Sequence, residues 1–65
     1  MSQANNYETA ICFFIPALNK TPLKYRNIKS RASLERFIQN KWPEVQYINY
    51  YNKVTKAFQG RTWLQ

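Results

Sequence analysis

The chain has 65 residues, 45% of them hydrophobic and 17% aromatic, which is one domain at most, with enough apolar surface to order a small core. Ten Lys and Arg stand against three Glu, with no Asp and no His, for a net charge of +7 and a pI near 9.9. That inventory excludes a Ser/His/Asp or Cys/His nucleophilic apparatus and any ordinary zinc site, and it favours a polyanionic partner.

Residues 1–6, MSQANN, are polar and expected to fray. From Glu8 or Thr9 to Ile15 the side chains are β-branched, aromatic or small, and apolar at both parities. This predicts a central strand covered on both faces and ended by Pro16. Within it, the nine-residue run AICFFIPAL is too short to cross a bilayer as a helix. Its flanks also lack the basic leader and cleavage site of a secretory signal, so a strand of a cytoplasmic protein is expected. Cys12 is the only cysteine and reads as a small buried hydrophobe in a reducing compartment.

All the basic residues lie between Lys20 and Arg61. After a loop at ALNKTP, residues 23–28 alternate Leu23 and Tyr25 with Lys24 and Arg26, the pattern of a half-exposed strand with one basic side. SRASLERFIQNKW reads as a helix capped by Ser30, or by Ser33 in a shorter version. Its apolar stripe is Leu34, Phe37, Ile38 and Trp42, with Arg36, Gln39 and Asn40 opposite. Pro43 should stop it at Trp42.

The last third admits a helix with the stripe Val45, Ile48, Tyr51, Thr55 and Phe58. Its Val, Ile, Thr and Tyr content favours two antiparallel strands instead, about Val45 to Tyr51 and Lys56 to Leu64. With Lys53, Val54 and Thr55 as the loop, Asn52 faces Lys56, Tyr50 faces Phe58, Ile48 faces Gly60 and Tyr47 faces Arg61. A two-residue loop at Asn52 and Lys53 is the alternative. The first register sends Ile48, Tyr50 and Phe58 to the core and leaves Tyr47, Asn49, Tyr51, Gln59, Arg61 and Trp63 on the other face. Gly60 reads as a bulge or a close backbone approach. The expected fold is therefore α+β: a small antiparallel sheet of three to four strands with one helix packed on one face, in the order β-β-α-β-β.

Glu8, Glu35 and Glu44 are not spaced to form a general acid and base pair, and a lone glycine cannot build a phosphate-cradling loop. One catalytic class survives, metal-independent cleavage of RNA by Lys24, Arg26, Tyr47 and Arg61, but no motif collects those residues. The leading expectation is a non-enzymatic nucleic-acid-binding protein without cofactor or metal. Its contacts would be Lys24, Arg26, Tyr47, Tyr51, Lys53, Lys56, Arg61 and Trp63, the cations neutralising phosphates and the rings stacking on bases. The same residue types make interface hot spots, so the alternative is a small adaptor or inhibitor of the phage or mobile-element type that binds an acidic protein surface. No membrane partner is expected. A homodimer through the exposed hairpin edge is.

Overall fold

The computed structural model describes residues 7–65; the fraying expected of residues 1–6 lies outside them. The elements are β1 (Glu8–Phe14), a single 3₁₀ turn (Pro16–Leu18), β2 (Leu23–Ile28), α1 (Arg31–Lys41), β3 (Val45–Asn52) and β4 (Phe58–Trp63). The strands form one antiparallel sheet in the order β2-β1-β3-β4, with α1 between β2 and β3 in sequence. This is the small α+β fold that the order β-β-α-β-β implies.

Local chemistry sets the helix limits. The Ser33 N–H donates to the Ser30 hydroxyl at 3.2 Å, capping α1. At the other end Trp42 has left helical geometry, with φ −131° and ψ 70°, because Pro43 follows it. Leu34 and Ile38 are buried while Arg36, Gln39 and Asn40 are exposed, as the helical wheel predicts. Phe37, at the margin of the stripe, stays 46% exposed and meets Tyr25 edge-on at 6.1 Å.

The core lies between α1 and one face of the sheet. It comprises Ala10, Cys12 and Phe14 from β1, Leu34 and Ile38 from α1, and Val45, Ile48 and Tyr50 from β3. Tyr50 has no exposed surface, and its hydroxyl donates to Glu35 Oε2 at 2.8 Å. The Arg31 guanidinium lies over the Tyr50 ring at 4.4 Å and donates to both carboxylate oxygens of Glu8, at 2.8 and 2.6 Å. Burial, and then the bond to Glu35, raise the Tyr50 pKa above its ordinary value. Burial alone pushes the Cys12 thiol up to about 11.

Two expectations need correction. β1 is central in the sheet, between β2 and β3, but α1 covers only one of its faces. Ile11 and Phe13, on its other face, are half-buried by side chains of the neighbouring strands rather than by a second layer.

The β3-β4 register also differs. The Asn52 side chain accepts hydrogen bonds from the N–H groups of Val54 and Thr55, both at 2.8 Å, and so winds the turn. Lys56 follows in the left-handed region at φ 69°, with its N–H on the Asn52 carbonyl at 2.9 Å, while the Asn52 N–H donates to Ala57 at 2.8 Å. The connection therefore runs from Lys53 to Lys56, one residue longer than the sequence implied. A bulge then adds a second residue to β4, since Tyr51 pairs with Phe58 but Tyr50 with Gly60. Ile48 consequently faces Thr62, Asn49 faces Arg61 and Tyr47 faces Trp63. The two displacements cancel in parity beyond the bulge, which keeps Arg61 and Trp63 on the open face. Phe58 lies between them, so it leaves the expected core position and is 56% exposed. Gly60 serves both the bulge and a close approach, because an added Cβ would meet Arg31 Nη1 at 3.2 Å.

Candidate nucleic-acid interface

Strand periodicity places Thr9, Ile11 and Phe13 of β1 and Tyr47, Asn49 and Tyr51 of β3 on the face away from α1. Cross-strand pairing arranges this face in rows. Phe13, Tyr47 and Trp63 form one, with ring centroids 4.9 Å apart in a stacked pair and 4.7 Å apart in a tilted one. Trp63 ends this row at the sheet edge, 57% exposed.

In the next row Lys24 faces Ile11, Ile11 faces Asn49 and Asn49 faces Arg61. Arg61 Nε donates to Asn49 Oδ1 at 2.7 Å, and Asn49 Nδ2 donates to the Tyr51 hydroxyl at 3.3 Å. Both polar ends of the buried Asn49 amide are thereby used. The same guanidinium lies 4.8 Å from the Tyr47 ring centroid and 5.6 Å from that of Trp63, which fixes a cation between two rings.

Thr9, Tyr51 and Phe58 form the third row, the two rings meeting at 5.7 Å. Arg26 lies across from Thr9 where the β1-β2 pairing is irregular, beside Asn27 in the left-handed region at φ 60°. Between the second and third rows an open groove of about 190 Å³ is lined by Thr9, Ile11, Lys24, Tyr51 and Lys56. Lys53 sits at the hairpin tip, its ammonium 5.5 Å from the Tyr7 ring centroid.

The expected contact residues thus fall into local groups. Tyr47, Arg61 and Trp63 come together at one end of the face, and Lys24, Tyr51 and Lys56 around the groove. Arg26 lies on the outer strand and Lys53 beyond the strand ends. The four residues considered for RNA cleavage do not converge: Tyr47 and Arg61 are in contact, but Lys24 and Arg26 are on β2, two strands from β3 and so roughly 10 Å away. Phe13 and Phe58 are part of the aromatic surface, and sequence reasoning had assigned neither to it. Phe13 was one of two adjacent phenylalanines in a run apolar at both parities, so its face carried no signal.

Charge is distributed unevenly between the two faces. Glu8 and Glu35 are bound on the helix side, to Arg31 and Tyr50, and Glu44 lies in the turn before β3. No glutamate offsets Lys24, Arg26, Lys56 or Arg61 on the open face.

No family model, curated protein or solved structure matches this chain. Among the described residues no three His, Cys, Asp or Glu side chains are grouped as a metal site requires, and no helix is long and apolar enough to cross a membrane. What the face can do follows from its own chemistry: it offers exposed ring surface to flat π-systems and unneutralised cations to anions, at spacings set by the strands.

Proposed function

We propose that the protein is a non-enzymatic binder of single-stranded nucleic acid and uses the open face of its sheet. The observation that carries this reading is Arg61, held by Asn49 between the rings of Tyr47 and Trp63 on a face with no glutamate. A base is flat and a phosphate is anionic, so a surface that alternates rings with fixed cations meets both halves of a nucleotide. Bases in a duplex are stacked on one another and closed to such rings. The flat face also lacks the projecting helix or ribbon that enters a major groove. A single strand, with its bases free to splay, is the better fit.

The runner-up is a partner protein with an acidic surface, favoured by the exposure of Phe58 and Trp63 beside Arg61, a combination common at interface hot spots. Fluorescence anisotropy with a labelled single strand and with the duplex of the same sequence separates these readings. A nucleic-acid binder takes up the single strand at micromolar or tighter affinity, prefers it to the duplex, and loses affinity linearly on a log-log plot against salt, by about 0.7 per phosphate neutralised. Absence of saturable binding at low salt removes the reading and leaves the protein partner.

A further inference from the structure

The open face continues past the strand ends on the hairpin side. Glu8 pairs with Ile28 on β2 and with Asn52 on β3, so Tyr7, one residue earlier, stands between Lys29 and Lys53. Both lysines reach it. The Lys29 ammonium is 5.6 Å and the Lys53 ammonium 5.5 Å from the Tyr7 ring centroid. The Lys53 N–H also donates to the Tyr7 carbonyl at 3.2 Å, tying the hairpin tip to the start of β1.

Two like charges converge here on one half-buried ring. The ring's negative face attracts each of them, but they repel one another, and neither is paired with a carboxylate among the described residues. Glu8, next to Tyr7 in sequence, points to the helix side and takes both of its hydrogen bonds from Arg31. An anion between the ammonium groups would turn that repulsion into two charge-assisted hydrogen bonds.

The cluster also extends the order of the face. Moving along β1 in steps of two residues, Tyr7 comes with Lys29 and Lys53, Thr9 with Tyr51 and Phe58, Ile11 with Lys24 and Arg61 at the ends of its row, and Phe13 with Tyr47 and Trp63. From Tyr7 to Phe13 the strand covers about 20 Å at ~3.4 Å per residue. An unstacked single strand advancing by about twice the ~3.4 Å of a duplex strand would cover that span in roughly three steps.

We infer that Lys29, Tyr7 and Lys53 form the terminal contact of the nucleic-acid face, the two ammonium groups holding one phosphate while Tyr7 stacks on the adjoining base. The bound strand then runs along β1 and β3 with a footprint of about four nucleotides. This rests on the single-strand reading above.

The test uses fluorescein-labelled oligothymidylates of increasing length, two to ten nucleotides, against the wild-type protein and the Lys29→Gln/Lys53→Gln double variant. Both lysines are exposed, so the substitutions leave the core intact. Wild-type affinity should rise steeply with each nucleotide up to about four and then only by the statistical factor. In the double variant the salt slope should shrink by about 1.4, at ~0.7 per lost phosphate contact, and the steep rise should stop near three nucleotides. Tyr7→Ala should weaken tetranucleotide binding at least fivefold without altering the salt slope. If the wild type binds oligothymidylate while the double variant keeps its slope and length dependence, the terminal contact is wrong and the single-strand reading stands. If the wild type binds none of them, both fall.

Discussion

Tyr50 and Tyr51 are adjacent in the chain and serve opposite faces of the sheet. Tyr50 is wholly buried and donates its hydroxyl to Glu35 at 2.8 Å, whereas Tyr51 accepts from Asn49 on the open face and meets the Phe58 ring at 5.7 Å. Removing only the hydroxyls should separate the two roles. Tyr50→Phe leaves the Glu35 carboxylate without its donor and should cost about 1.5–3 kcal/mol in urea denaturation, with oligonucleotide affinity unchanged. Tyr51→Phe should stay within about 1 kcal/mol of wild-type stability.

The displaced register makes a sharper contrast. Had Phe58 faced Tyr50 in the core, truncating it would cost as much as other core deletions. On the open face, Phe58→Ala should cost less than about 1 kcal/mol of stability while lowering single-strand affinity roughly fivefold or more. Ile48→Ala, at a position with no exposure, should cost about 2–5 kcal/mol. Denaturant midpoints for the pair decide between the two registers.

Sheet and helix were legible because their signals are local and periodic. Leu23 to Ile28 alternates apolar and basic residues, Ser30 and Pro43 punctuate α1, and the β-branched and tyrosine content of residues 45–51 outweighs a weak helical stripe. The register was less legible because it depends on two features that leave little trace in composition. One is Lys56, a non-glycine residue in left-handed geometry, and the other is the extra residue of the bulge beside Gly60. On the face itself, parity found Tyr47, Tyr51, Arg61 and Trp63. It missed Phe58, on the wrong side of the bulge, and Tyr7, which belongs to the surface only through strand pairing with distant lysines.

Gly60 joins the bulge to the helix side of the molecule. It has φ 158°, and a methyl group there would press on the Arg31 guanidinium that holds Glu8 and covers Tyr50. Gly60→Ala should therefore cost about 1–3 kcal/mol in denaturant unfolding, more than an ordinary surface substitution. Little loss would mean that Arg31 moves aside freely.

Alkaline pH should weaken the fold in two stages. Cys12 and Tyr50 both hold their protons more tightly folded than unfolded, chiefly through burial. The unfolded chain therefore ionises first, and their contribution, complete at neutral pH, declines as pH rises. Loss should begin near pH 9.0, the ordinary thiol value, and steepen above pH 10.0, where a free tyrosine ionises. In Cys12→Ala the onset should move to about pH 10, as seen in thermal melts across the alkaline range.

The central claim is that Tyr47 and Tyr51 contact bases and do not merely fill space. Its most direct test is the affinity of a labelled ten-nucleotide oligothymidylate at low salt for the wild type and for the Tyr47→Ala/Tyr51→Ala double variant, with unfolding free energies measured in parallel. Stacking of about 1–3 kcal/mol per base predicts at least a roughly 30-fold loss of affinity, with stability lowered by no more than about 2 kcal/mol. Unchanged affinity in the double variant, or no binding by the wild type, would contradict it.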